Sequence, residues 1–323
     1  MTTILVLGGY GLIGAACARA LAADGMRVIG FGRSAETFAR VLPGLPYRIG
    51  DLRAMDADAW AVALDGIDVV VNAAGALQDS ARDDLRAVHV TALQGLTQAI
   101  GHRRLIQISA VGVAPEASTA FLRTKAAGDA LVRDGASDWV ILRPGLVVGP
   151  AAYGGTALLR AAAALPVIPG VFPTAPIQCV ALADLAEAVV LCARGSVASG
   201  TTADLVEPAP RPLPHVTVAM RQWLGLRPAR VVPVPDWAVA LIGRGADALA
   251  ALGWRSPLRS TALDVLRGGV TGDATRWPHP LRSLDQMLAA MPATVQERWF
   301  ARLWPLVPVA VAVLSVFWLL LSV

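Results

Sequence analysis

Glycines stand at positions 8, 9, 11 and 14 of the segment Gly8-Gly9-Tyr10-Gly11-Leu12-Ile13-Gly14. The segment follows an apolar run at 4–7 and leads into an Ala/Leu-rich stretch with helical spacing. In that context each spaced glycine has a physical task. Gly8 permits a tight turn out of a strand. Gly11 lets backbone approach a bulky anion where a Cβ would obstruct it, and Gly14 allows close packing of helix on strand. The helix start then directs unpaired N–H groups and a positive partial charge at the anion, so Tyr10, Leu12 and Ile13 belong to the binding turn with the glycines. The chemistry this implies is a seat for the diphosphate of a nicotinamide dinucleotide.

A second position bears on which dinucleotide. A site for NAD(H) usually carries an acid about 20 residues past the glycines, where it holds the ribose hydroxyls. Here the stretch reads Gly30-Phe31-Gly32-Arg33-Ser34, and the first acid is Glu36. An arginine fork at Arg33 suits the 2′-phosphate of NADP(H) through paired, charge-assisted hydrogen bonds. NADP(H) is therefore the preferred cofactor and NAD(H) the alternative. The other reading of Arg33 is a solvated surface arginine.

These residues need a frame. Short apolar runs at 4–7, 27–31, 47–49, 69–72, 105–109 and 140–143 read as strands buried on both faces. Helical patterns lie between them at 13–23, 57–64, 85–100 and 119–133. Parallel strands need crossover helices, so the alternation predicts an α/β fold, a doubly wound parallel sheet of the Rossmann kind. After Gly149 the rhythm changes, and Pro and Gly cluster at 166–176 and 207–214. A dinucleotide-binding domain over 1–210 is expected, with cap elements interleaved after 150 and a helical cap region over 211–300. Helices are expected at 183–193, with Asp184 near the positive end, and at 236–252.

The run 303–323 carries no charge and has about the ~20 residues needed to cross a bilayer. Arg298, Arg302, Trp299 and Trp304 flank or open it. A transmembrane helix follows, with the Rossmann domain on the cytoplasmic side of the inner membrane. The competing expectation is a buried terminal helix. The overall composition agrees with partial lipid contact, being 55% hydrophobic and 16% charged with a net charge of +4. The sequence lacks basic runs interleaved with aromatics, which argues against nucleic acid as a partner. Cys17, Cys179 and Cys192 read as reduced, buried small hydrophobes. His89, His102, His215 and His279 have no ligand spacing, so no metal site is expected.

Over roughly 1–210 the sequence resembles the extended and atypical branches of the short-chain dehydrogenase/reductase superfamily. Gly8, Gly11 and Gly14 match the family's spaced glycines. Asp51-Leu52 resembles its adenine-contacting pair, and Asn72-Ala73-Ala74-Gly75 the segment that lines the cofactor. Ser109 falls where the family keeps its catalytic serine, and Arg143-Pro144-Gly145 beside the nicotinamide. Val180–Ala186 resembles the late helix-start motif of extended members. One departure stands out. The family uses Tyr, three residues, then Lys, whereas this chain reads Phe121-Leu122-Arg123-Thr124-Lys125. Spacing keeps both side chains on one helical face, yet a phenyl ring is no acid or base. Lys125 retains the role of holding the nicotinamide ribose that the resemblance implies.

Tyr153 is the best-placed substitute hydroxyl, because Tyr10 lies in the phosphate turn and Tyr47 leads a remote strand. Ser109 is either a donor to substrate or part of the cofactor lining, and His89 reads as a helix-face residue. Loss of the tyrosine resembles atypical members related to the NADPH-binding accessory subunit of respiratory complex I and to NmrA-like sensors. The tail from Glu297 resembles the opening of DoxX-like membrane domains. Two functions follow as expectations. One is an NADP-dependent oxidoreductase with a displaced proton donor, acting on a quinone or another small apolar substrate. The other is a non-catalytic NADP(H) sensor or membrane-complex assembly factor. Epimerase-like or lyase chemistry is a lesser third.

Overall fold

The structure is a computed structural model that describes residues 1–77, 79, 84–151, 154–251 and 260–293. Six strands open the chain: β1 (Thr3–Leu7), β2 (Arg27–Gly32), β3 (Tyr47–Ile49), β4 (Val69–Asn72), β5 (Arg104–Ile108) and β6 (Asp138–Pro144). Between them run α1 (Leu12–Ala23), α2 (Ala35–Val41), α3 (Ala57–Ala63), α4 (Ala92–Ala99) and α5 (Ala120–Gly135). Three short strands follow, β7 (Leu146–Val148), β8 (Ile168–Gly170) and β9 (Pro176–Ile177), with α6 (Gly154–Ala164) among them. Then come β10 (Cys179–Ala181), α7 (Leu182–Ala193), β11 (Thr201–Leu205), β12 (Arg211–Pro212) and α8 (Leu213–Trp223). The last elements are β13 (Val231–Pro233), α9 (Asp236–Ala251), α10 (Ser260–Gly268) and α11 (Leu284–Ala289).

The central sheet has seven parallel strands in the order β11-β6-β5-β4-β1-β2-β3. β1 through β3 build outward in one direction, and the chain then returns to lay β4 on the other side of β1. That reversal makes a crevice at the carboxyl ends of β1 and β4, the position where ligands bind in open α/β sheets. β1 and β4 are buried along their whole length. Continuous apolar sequence is what two covered faces require. On one face Cys17, Leu21, Val189 and Cys192 of α1 and α7 pack on the sheet. On the other, Trp60, Leu93, Leu96 and Val132 of α3, α4 and α5 do so. A further core, with Leu159, Cys179, Val216, Met220 and Met287, lies among α6, α8 and α11.

The segment after α10 returns to the edge strand. Asp204 of β11 accepts from the Asp273 N–H at 2.9 Å, and Gln178 from the Gly272 N–H at 2.9 Å. Buried Glu207 accepts from the N–H groups of Cys179 at 3.0 Å and Leu284 at 2.9 Å. Asp184, in the first turn of α7, binds Arg282 through the backbone N–H at 3.2 Å and the guanidinium at 2.8 Å. A row of carboxylates thus fastens residues 272–284 along β11. An edge strand is otherwise a template for unwanted pairing, and this strap covers it.

Some expectations need correction. Ser109 lies one residue beyond β5, with its N–H on the Leu142 carbonyl at 2.8 Å. The helix expected over 85–100 is interrupted by a π turn, Ala87–Thr91. α2, α6, α8, α10, α11, the central-sheet strand β11 and all the strands of two or three residues beyond β3 went unread. Among the described residues no helix is long and apolar enough to cross a membrane. The run 303–323, the DoxX-like resemblance at its start and Tyr153 all lie outside the described residues.

Candidate functional site

Gly8 turns the chain out of β1 with φ of 69°, in the left-handed region that favours glycine. A Cβ there would come within 2.8 Å of the Ala74 Cα. The Gly11 N–H closes the turn on the Gly8 carbonyl at 2.9 Å. Gly14 packs on that same carbonyl, which a Cβ would approach to 2.2 Å. The close contact is therefore between helix and turn, which corrects the expected contact between helix and strand. Gly11 caps α1 without a side-chain acceptor, leaving the N–H groups at Leu12 and Ile13 open to a bound anion. A Cβ on Gly11 would meet only the Gly8 oxygen, at 3.2 Å. The space a side chain would take up is thus kept clear, as a diphosphate requires, and the cradle fits such a group.

Beside the turn lies a cleft of about 280 Å³. It gathers most of the residues named from sequence: Gly8, Tyr10, Gly11, Arg33, Asp51, Leu52, Ala73, Ala74 and Gly75. Phe31, Gly32, Gly50, Ala76 and Val88 complete the lining. Sequence reading passed over these five, although most of them flank the ends of the strands whose tips form the crevice. Leu12, Ile13 and Gly14 sit in the first turn of α1, outside that lining, as do Ser109, Lys125, Pro144 and Gly145. Asp51 is bound by the Arg53 side chain, at 3.0 Å through Nε. That hydrogen bond holds its carboxyl below the usual range, and the nearby Arg33 charge adds to the effect. Gly145 packs on the Gln178 carbonyl, which a Cβ would approach to 2.4 Å. Arg143 pairs with fully buried Asp129 at 3.0 Å.

The far side of Gly75 leads to a second group of polar residues. A Cβ on Gly75 would stand 3.5 Å from His89 Nε2 and 3.6 Å from Lys125 Nζ. Lys125 is buried and donates to the Ile108 carbonyl at 2.8 Å. Burial lowers its pKa to about 8, against a smaller opposing pull from Asp129. His89 is also buried, which corrects the expectation of a helix-face residue. The π turn carries it inward, and α5 approaches so closely that a Cβ on Gly128 would lie 2.5 Å from the His89 carbonyl. The Ala76 N–H donates to His89 Nε2 at 3.2 Å, so the ring proton sits on Nδ1 and points to Thr124 Oγ1 at 2.9 Å. Thr124 in turn donates to the Phe121 carbonyl at 3.1 Å. Burial, with Lys125 adding to it, pushes the His89 pKa down to about 3. The Phe121 ring meets His89 edge to face at 5.8 Å. The buried Ser109 hydroxyl has no hydrogen-bond partner among the described residues. An orphan donor at a strand tip is the kind of group a ligand satisfies.

Residues 8–165 match the model of a family described as NAD(P)H-binding. Sheet order, cradle and this match together define the class, an NAD(P)H-binding domain of the Rossmann type. Among solved structures, the chain is similar to an NADPH-dependent quinone oxidoreductase from Escherichia coli complexed with NADPH. That match has a TM-score of 0.68 and 16% identity, over 88% of this chain and 98% of that one. It is similar also to the terminal R domain of the myxalamid biosynthetic pathway, with a TM-score of 0.67 and 18% identity over 94% and 91% of the two chains. The enzyme WbmH of Bordetella bronchiseptica, solved with NAD+, gives 0.59 and 19% over 73% and 86%. At these identities the likeness is one of fold. No curated protein matches the chain.

Proposed function

We propose that the chain is an oxidoreductase that prefers NADP(H) to NAD(H) and reduces a small apolar acceptor, a quinone above all. The observation that carries this reading is the side-chain-free cradle at Gly8, Gly11 and Gly14, opening on a cleft whose β2 end bears Arg33 and no acid. Bound there, the cofactor supplies hydride chemistry. The chain's own groups bind and orient. Gly8, Gly11 and the N–H groups at Leu12 and Ile13 hold the diphosphate, while Tyr10 and Arg33 face the 2′ side. Asp51 and Leu52 flank the adenine, and Ala73, Ala74 and Gly75 form the floor. Lys125 and Ser109 serve the nicotinamide end, beside Pro144 and Gly145.

Phe121 narrows the acceptor. Reduction of an aldehyde leaves an alkoxide, a strong base that needs an acid at hand. Reduction of a quinone leaves a hydroquinone anion, a far weaker base that solvent can protonate. The balance is NADPH, quinone and one solvent proton giving NADP+ and hydroquinone. The E. coli structure named above is of a quinone oxidoreductase, which supports this choice. On the same reading, the uncharged run 303–323 holds the domain at the cytoplasmic face of the inner membrane, where apolar quinones partition. That part rests on sequence alone. The second reading, a non-catalytic NADP(H) sensor or assembly factor, is favoured by the same missing phenol.

NADPH oxidation against quinones, aldehydes and enones tests the proposal. Quinones are expected to turn over fastest. Phe121→Tyr is expected to raise aldehyde reduction by about 10²-fold, the lower end of what a placed general acid contributes, and to leave quinone reduction little changed. Tight NADPH binding with no oxidation across the panel, in parent and variant alike, would establish the sensor reading instead. Arg33→Ala is expected to weaken NADPH about ten-fold and NADH much less. Equal losses would remove the NADP(H) preference.

A further inference from the structure

We propose that Tyr10 is a specificity-determining residue, its phenol positioned to donate a hydrogen bond to the 2′-phosphate of NADP(H). The inference rests on the dinucleotide reading above and assigns a role to a side chain that the glycine pattern leaves open. The Arg33 N–H donates to Tyr10 Oη at 3.1 Å. A phenol has acceptor lone pairs and a single proton. With a lone pair engaged by Arg33, the proton is left to be given elsewhere, and Tyr10 lines the cleft. In this fold the 2′ position of the adenosine ribose lies at the carboxyl end of β2, where Gly32 and Arg33 stand.

The ring is held in place by what surrounds it. A Cβ on Gly32 would lie 2.6 Å from Tyr10 Cε1, so the ring rests on bare backbone. The ring also meets Phe38 edge to face at 4.9 Å. Phe38 is itself stacked on Tyr47, with centroids 5.1 Å apart and planes 2° apart. Gly30 makes room for Phe38, whose Cε1 a Cβ would approach to 2.3 Å. Two glycines of β2 therefore serve an aromatic column that ends in a hydroxyl at the cleft wall. A donor fixed before the ligand arrives loses little freedom on binding. A phosphate offers charged acceptor oxygens to such a donor, and hydrogen bonds to charged groups are the stronger kind. A 2′-hydroxyl offers one neutral oxygen that water serves as well.

The test is calorimetric titration of the full chain with NADPH and NADH, and with the fragments 2′,5′-ADP and 5′-AMP. Tyr10→Phe keeps the ring contacts, and the Arg33 N–H it releases is exposed to water. This variant is expected to weaken NADPH and 2′,5′-ADP by about ten-fold and to change NADH and 5′-AMP by less than about two-fold. Gly32→Ala keeps the hydroxyl but displaces the ring, and the same selective loss is expected. Losses shared equally by both dinucleotides, or no loss in either variant, would overturn the role of Tyr10 while leaving dinucleotide binding intact. A parent protein that binds neither NADPH nor NADH would overturn the cofactor reading itself, and this inference with it.

Discussion

His89 and Lys125 meet the same physical demand, burial of a base, and in both the pKa is lowered. The unfolded chain holds the His89 proton below about 6.5, whereas the folded ring takes it only near 3. Between those values the unfolded state binds more protons, so stability falls as pH is lowered. Lys125 behaves likewise between its unfolded 10.5 and its folded value of about 8, where stability rises with pH. His89→Leu is expected to lose about 1–3 kcal/mol at pH 7, because the Ala76 N–H is left without its acceptor. It is also expected to flatten the decline between pH 7 and pH 5. Urea unfolding at the two pH values measures both, and a decline as steep as the parent's would refute the assignment. Sequence reading recognised Lys125 and Ser109 through their spacing and family resemblance. It missed His89 because helical periodicity assumes regular winding, and one π turn changes which residues face inward.

At the level of elements, the β1–α1 turn depends on two backbone segments lying closer than any side chain permits. Gly14→Ala would set a Cβ 2.2 Å from the Gly8 carbonyl, where neither partner is a flexible side chain that can yield. A loss of about 1–3 kcal/mol is expected, as for overpacking in general, together with weakened dinucleotide binding. Gly245→Ala in α9 is the control. A Cβ there meets nothing within 4 Å, so thermal denaturation should show a gain of about 0.5–1 kcal/mol. A Gly14 variant that melts and binds like the parent would show that the turn relaxes. β1 and β4 were legible to within a residue, since strands covered on both faces are unbroken apolar runs, whereas β3, expected at 47–49 to be buried on both faces, is an edge strand with Tyr47 and Ile49 exposed. Strands of two or three residues such as β9 and β12 carry no period, and their pairing is decided by distant partners.

Across the whole molecule, the strap over β11 joins the late part of the chain to the central sheet. Glu207→Ala would strip acceptors from the Cys179 and Leu284 N–H groups at once. At about 1–3 kcal/mol for each buried group left unpaired, this is among the more damaging single changes available. Hydrogen exchange should show residues 272–289 losing protection first, with β1 and β4 unaffected. Uniform loss across the sheet would mean that the strap and the sheet open together. This return of the chain was not legible in sequence, where Asp184 read only as a favourable charge at a helix start. Its partner Arg282 lies far along the chain, and no local pattern announces such a pairing.

The three thiols carry a practical consequence. Burial raises Cys17 and Cys192 to about 12 and lifts Cys179 well above the ordinary thiol value, with Glu207 adding to it. All three are free and fully enclosed, so alkylating reagents meet no thiolate in the native protein. Cys17 and Cys192 report on the packing under α1 and α7, and Cys179 on that among α6, α8 and α11. Mass spectrometry of an iodoacetamide time course would therefore time the opening of two interiors separately, using labels the chain already carries.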